Sequence, residues 1–396
     1  MQPFVISHFS IVNSLGDGAE AVLHGLREKK SGLTPCDFDS VTLDTHIGRV
    51  PGLERGSVRY DLAAYDCRNN RLAQRCLEQD GFAAQVAQAR ERYGPGRVGV
   101  FLGTSTSGIH ATELAYRQRD PGTGALPGDY HYAETQNVFS LGGFVRRYCR
   151  LNGPSSVVSS ACSSTAKVFG NAARMISAGV CDAAVVGGAD SLCLTTLYGF
   201  HSLGLTSPGP CRPYDAARDG ISVGEGAGFA LVEKADRAVS GSVLLVGVGE
   251  SSDAFHMSTP HPEGLGAKMA MRRALESAGL GSSDIDYVNL HGTATKTNDA
   301  SEDRAVVEIF GTDTPCSSTK GSTGHLLGAA GITEAIVSIM AIAHGFMPGG
   351  ANTREVDPAL KCRYLLETRH ARVRRVLSNS FGFGGSNCSL VFGAGA

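Results

Sequence analysis

The chain has 396 residues, 42% hydrophobic and 19% charged, with 51 glycines, no tryptophan and a formal net charge of -2. That length is ample for a large buried core, as one big domain or as two fused halves. The near-neutral balance argues against a general nucleic-acid binder or a membrane-surface protein.

The N-terminal MQPFVISHFS has no positive start followed by an apolar run, so it does not read as a signal peptide. No apolar stretch of roughly 18 residues offers a membrane span. The eleven cysteines are scattered and never form a C-x-x-C pair, a pattern that suits a reducing cytoplasm better than disulfides or zinc.

Short apolar runs alternate with longer small-residue segments, which predicts an α/β sheet core. In chain order, strands are expected at 97–102, 155–160, 183–187, 227–232, 243–249, 285–290, 373–378 and 387–392. Helices are expected at 164–178, 265–278, 299–310 and 326–344. The Pro- and Gly-bearing segment 118–136 lacks periodicity and reads as a long surface or capping loop.

One echo stands out: ACSSTAK at 161–167 follows a β-run and precedes a small-residue helix, and PCSSTK at 315–320 is again followed by a small-residue helix. After each helix the chain returns to a strand ending in glycines. Two such units suggest a duplicated fold with the active site between its halves; chance similarity of short Ser/Thr/Gly segments is the alternative.

Cys162 follows SSVVSS and precedes Ser163, Ser164 and Thr165, good N-cap residues for the next helix. A thiol there feels the positive end of the helix dipole, which predicts a pKa lowered from roughly 8.5 toward neutrality. His291 opens HGTAT after IDYVNL, and His325 lies in KGSTGHLLGAAG. Two imidazole N–H groups aimed at one thioester oxygen would stabilise an enolate as carbon dioxide leaves. Lys320 and Glu334 flank His325 as a candidate buried ion pair. Asp299 and Glu302, spaced Asp-x-x-Glu, read as a structural capping box for 299–310. The glycines of SFGFGGSN at 380–387 permit sharp turns whose N–H groups could line an oxyanion hole, with Phe383 beside the nucleophile. RDGISVGEGAG at 218–228 carries no phosphate-binding pattern, so a nucleotide site is not expected.

Six motifs in order resemble one family, the β-ketoacyl-[acyl-carrier-protein] synthases of the elongating I/II type. They are SACSST around Cys162, RPYD at 212–215, RDG..VGEGAG at 218–228, HGTAT at 291–295, KGSTGHLLGAAG at 320–331 and NSFGFGGSN at 379–387. The resemblance implies a thiolase-like fold: two duplicated α/β halves in a five-layered αβαβα arrangement, divided near 1–240 and 241–396, normally dimeric.

The resemblance also implies roles. Cys162 takes the acyl chain as a thioester, and His291 and His325 bind the malonyl carbonyl. Lys320, paired with Glu334, orients His325. The N–H groups of Cys162 and Phe383 form the oxyanion hole, and Phe383 gates the acyl pocket. The implied partners are acyl- and malonyl-loaded acyl carrier protein, and a second subunit, either identical or chain-length-factor-like. No metal or nucleotide is implied.

The chain departs from the pattern at Asn298, Ile221 and the short loop 205–211, which suits a specialised polyketide, polyene or pigment pathway as well as fatty-acid synthesis. Arg68, Arg71 and Arg75 read either as a basic patch for the carrier or as the polar face of a helix at 62–79. A non-decarboxylating thiolase would need a second catalytic cysteine near the C-terminal glycine loop, and Cys388 falls beyond it in an expected strand.

Overall fold

The computed structural model describes residues 1–395. Ten strands form its frame. In the first half they are β1 (Phe4–Asn13), β2 (Val98–Gly103), β3 (Ser155–Val158), β4 (Ala183–Asp190) and β5 (Gly226–Lys234). In the second they are β6 (Val243–Ser252), β7 (Tyr287–Asn289), β8 (Pro315–Ser317), β9 (Arg375–Gly382) and β10 (Ser386–Ala394). The strand orders are β3-β2-β4-β5-β1 and β8-β7-β9-β10-β6. In each half the first three neighbours run parallel and the last two pairings are antiparallel. The halves join where β1 pairs with β6 over Phe4–Ile6 and Val243–Leu245.

The fold is therefore duplicated, but the lettered echo is out of step with it. Cys162 lies beyond the end of β3, whereas Cys316 lies inside β8, fully buried against the second half's core. The two Cys-Ser-Ser triplets occupy different places in the two units.

Two helices lie between the sheets. α6 (Ser164–Ser177) follows β3, and α10 (Ala330–His344) follows β8. They pack on each other; α6 rests on β2, β4 and β10, and α10 on β5 and β9. Residues 327–344 are apolar and long enough to cross a bilayer, contrary to the expectation that no such stretch exists, yet 89% of that segment is buried as this central helix. Gly331 is what allows the close approach, since a Cβ there would sit 2.6 Å from the backbone nitrogen of Ala166.

Outer helices complete the layers: α1 (Ala19–Arg27), α2 (Arg68–Leu77), α3 (Phe82–Tyr93), α4 (Ile109–Arg117), α5 (Ser140–Cys149), α7 (Leu194–Ser202), α8 (Leu265–Ala278) and α9 (Lys296–Phe310). Of these only α8 and α9 were expected outright, with α2 as one of two readings. Between α4 and α5, residues 118–139 hold no helix or strand and are mostly exposed, as a surface loop requires.

β1 was not expected. It is buried on both faces over most of its length, so the alternation that betrays a half-exposed strand is missing. At the other end of the chain β9 runs through Gly382, which shortens the predicted glycine loop to 383–385.

The arginines of α2 do not form a free basic patch. Arg68 is 5% exposed at its side chain and is held by Glu225 and Glu54, while Arg71 pairs with Asp66 and Arg75 with Asp17. Glu225, from the VGEGAG motif, also accepts the N–H groups of Val50 and Leu192. The motif is thus anchored by a buried ion pair, which is why it carries an acid among glycines.

Overpacking the contact between the central helices should destabilise the protein. Gly331→Ala is expected to lower folding stability by about 1–3 kcal/mol, read as a reduced midpoint in urea.

Candidate active site

The C-terminal ends of the parallel strands of both halves face one another, the place where open α/β sheets bind ligands. Cys162 follows β3, His291 follows β7, Lys320 and His325 follow β8, and Phe383 follows β9. Cys162, His291, His325 and Phe383 line one cleft, with Lys320 behind His291. The Cys162 sulfur and one nitrogen from each of His291 and His325 lie within 4.8 Å of one another, and all three residues are buried. The two imidazoles meet edge to face at 5.3 Å. They line a cleft together with Thr293, Thr295, Ile221, Phe200 and Phe383.

Local backbone throws each group into this cleft. Ala161 adopts φ +50°, a left-handed conformation uncommon for a non-glycine residue, and it turns the chain off β3 just before Cys162. Ser163 is the N-cap of α6. His325 is clamped through its backbone, its N–H donating to Ser222 O (2.7 Å) and its carbonyl accepting from Gly224 N–H (2.9 Å). The glycine-rich 218–228 segment, which had no chemistry of its own in the sequence, is therefore the seat of His325.

Asp299 and Glu302 do not form a capping box. α9 starts earlier than expected, and its N-cap is Thr295, whose side chain accepts from Asn298 N–H. Both acids are buried inside the helix. Glu302 accepts the N–H groups of His291 (2.8 Å) and Gly292 (2.7 Å), and Asp299 accepts those of Ala294 (3.2 Å) and Tyr214 (2.9 Å). They tie the HGTAT loop and the RPYD motif to one helix. Burial pushes the Glu302 carboxyl up to about 7 against these donors. Two acids at helical spacing beside an expected helix start were the only signal, and a capping box matched it equally well.

Lys320 and Glu334 form a buried ion pair, with side chains 2% and 3% exposed. The lysine reaches His291 rather than His325: its Nζ donates to the His291 carbonyl and lies 3.4 Å from His291 Nδ1. The expectation that it orients His325 is corrected here. His325 Nδ1 instead accepts the N–H of Leu327 at 3.2 Å.

These partners define the tautomers. An ammonium and a backbone amide can only donate, so Nδ1 is the acceptor in both rings and the proton sits on Nε2. Burial, with the nearby Lys320 charge, holds both imidazoles well below their usual pKa, so they are neutral at physiological pH. The site presents two neutral N–H donors.

The thiol departs from expectation as well. Burial pushes Cys162 up to about 12, outweighing the attraction of Lys320 and the Phe383 N–H that reaches its sulfur. A helix end lowers a thiol pKa where water can still solvate the anion; here the sulfur's residue is 5% exposed. Phe383 stands at the rim, 36% exposed, with its ring 5.7 Å from Phe200. Cys388 is fully buried within β10 and is absent from the cleft lining, so the second cysteine of a non-decarboxylating thiolase is missing among the described residues.

Comparison with known proteins now decides the family. The model of the β-ketoacyl synthase N-terminal domain matches residues 1–238, and that of the C-terminal domain matches residues 243–354. The chain belongs to the β-ketoacyl synthases. It is a 3-oxoacyl-[acyl-carrier-protein] synthase, an acyltransferase of the condensing type.

The synthase is 38% identical to nodulation protein E of Rhizobium meliloti (strain 1021) over 401 residues, covering 96% of this chain and 92% of that protein. It is 32% identical to 3-oxoacyl-[acyl-carrier-protein] synthase 1 of Escherichia coli (strain K12) over 407 residues, covering 99% and 98%. Among solved structures it resembles the ketosynthase ApeO, in complex with its chain length factor ApeC, from Xenorhabdus doucetiae. That match has 37% identity and a TM-score of 0.90, covering 100% of this chain and 98% of that one.

The buried thiol yields a prediction. Iodoacetamide alkylation of Cys162 in the unliganded synthase should accelerate with each pH unit from 7 to 10, as the thiolate fraction grows. A plateau below pH 8 in the rate of mass gain on the Cys162 peptide would show a lowered pKa instead.

Proposed function

We propose that the synthase joins an acyl chain held on Cys162 to a malonyl unit delivered by acyl carrier protein, with loss of carbon dioxide. The observation that carries this reading is the convergence of one sulfur and two neutral Nε2–H donors in a single buried cleft.

In the first half-reaction the Cys162 sulfur attacks the carrier's thioester. The oxyanion is held by the N–H groups of Cys162 and Phe383, and the carrier thiol leaves. The proton lost by Cys162 is balanced by the one the departing thiolate takes up, so the step needs no free thiolate in the resting enzyme. In the second, His291 and His325 donate to the malonyl thioester carbonyl. Carbon dioxide departs, the enolate attacks the acyl–Cys162 carbonyl through the same oxyanion site, and the adduct collapses by breaking the carbon–sulfur bond, the released Cys162 thiolate taking up one proton from solvent. One such donor is typically worth about 3–4 kcal/mol in the transition state. Lys320 keeps His291 in its donating tautomer, Glu334 neutralises Lys320, and Phe383 gates the cleft. The order is ping-pong, because the first carrier must vacate the cleft before malonyl enters.

The working form we propose is a dimer, either of two identical chains or with a chain-length-factor subunit like the partner of ApeO. β3 ends the sheet with all four residues half-buried, and Leu114, Tyr116, Tyr132, Val138 and Phe139 expose apolar surface on α4 and the loop before α5. The chain length factor that accompanies ApeO supports a specialised polyketide or polyene product for this synthase. A cytoplasmic location agrees with eleven cysteines that are all free thiols.

Incubation with acyl-carrier protein should add an acyl mass to the Cys162 peptide, and malonyl-carrier protein should then release a chain two carbons longer. Cys162→Ala is expected to abolish both steps; elongation by that variant would refute the mechanism. His291→Ala or His325→Ala should cut malonyl decarboxylation at least 100-fold while leaving acyl loading less affected. If the chain needs a chain-length partner, the protein alone will acylate without elongating, and the added partner will restore elongation in a co-eluting heterodimer.

A further inference from the structure

We infer that Asp190 is a positioning residue that sets the spacing between the nucleophile and one of its two imidazole donors, an inference that rests on the roles proposed above for Cys162 and His325.

Asp190 is the last residue of β4 and is fully buried. Its carboxylate is unusually divided. Oδ1 accepts four hydrogen bonds from the loop after β2: the Thr104 hydroxyl (2.8 Å), the Ser105 N–H (2.8 Å), and the N–H (2.8 Å) and hydroxyl (2.7 Å) of Thr106. Oδ2 accepts one, the N–H of Ala329 at 3.1 Å. Every one of these donors is neutral, so the acid has been buried without a cation to offset its desolvation, an expensive arrangement that a merely space-filling side chain would not need.

The two oxygens lead to different halves of the molecule. From the Oδ1 side, the hydroxyl of Ser105 donates to the carbonyl of Ala161 at 3.2 Å, the residue whose left-handed turn aims Cys162. From the Oδ2 side, Ala329 ends the 327–329 turn that begins at Leu327, the donor to His325 Nδ1. Gly328 lies between them; a Cβ there would fall 2.6 Å from the Ser105 hydroxyl and 2.7 Å from Asp190 Oδ2. That turn is pinned on its far side too, because the Thr165 hydroxyl of α6 donates to the Gly328 carbonyl. One carboxylate therefore bridges the loop that supports the sulfur and the turn that sets the tautomer and aim of His325.

This division makes the two functions separable. In Asp190→Asn the amide oxygen will occupy the Oδ1 position, where four donors converge, and the amide NH₂ will face the single N–H of Ala329. The Cys162 side is preserved and the His325 side is released by a donor–donor clash. In Asp190→Ala both sides are lost.

The test measures the half-reactions separately: acyl transfer to Cys162 by intact mass, and carbon dioxide release from malonyl-carrier protein. Asp190→Asn is expected to slow decarboxylation tenfold or more while acyl loading stays within threefold of the wild type. Asp190→Ala should slow both. Equal losses of the two half-reactions in Asp190→Asn, or no loss in either, would overturn the inference, whether or not the alanine variant folds. A wild-type protein that neither loads an acyl chain nor releases carbon dioxide would instead refute the mechanism on which the inference rests.

Discussion

Everything in the cleft depends on how closely α6 and α10 approach between the two sheets. The backbone of Gly331 lies against that of Ala166 with no room for a methyl group. The chain just before α6 carries Cys162, and the chain just before α10 carries His325. The contact between the helices therefore sets the distance between sulfur and imidazole, which no local propensity could do. Side-chain bonds across the same contact, from Thr165 to Gly328 and from Ile332 N–H back to Thr165, hold the two helix starts in register.

Around that contact the fold buries several charged groups and sets each against a backbone segment. Glu302 and Asp299 hold the His291 loop, Glu225 and Arg68 hold the glycine-rich seat of His325, and Lys320 with Glu334 stands behind His291. A buried ion pair is weak evidence of net stabilisation, since desolvation offsets most of the attraction. What such groups add here is direction. Glu302, Asp299 and Glu225 each accept two backbone N–H donors, so loops rich in glycine keep one conformation.

The same burial explains the electrostatic character of the site. Removing water keeps both imidazoles neutral and the thiol protonated in the resting enzyme. Two neutral donors suit an enolate, whose charge exists only during the reaction, because a pre-formed dipole costs no reorganisation when that charge appears. In the mechanism proposed here, the thiol keeps its proton until a thioester arrives to exchange it with the leaving group.

The sequence by itself determined a good deal: the α/β character, eight of the ten frame strands to within a few residues, and the central helices; it also singled out Cys162, His291, His325, Lys320, Glu334 and Phe383, which the structure places in or beside one cleft. Those features are local, carried by apolar runs, glycine turns and short motifs with chemistry of their own. What it could not show depends on neighbours distant in the chain. β1 is buried on both faces, so its sequence lacks a period; α3, α4, α5 and α7 present mixed faces whose burial only packing decides. The direction of the Lys320 contact, the reassignment of Asp299 and Glu302 from helix cap to loop anchor, and the rise of the Cys162 pKa follow from which backbone lies within about 3 Å and how much water is excluded. Those quantities exist only once the two halves have closed on each other.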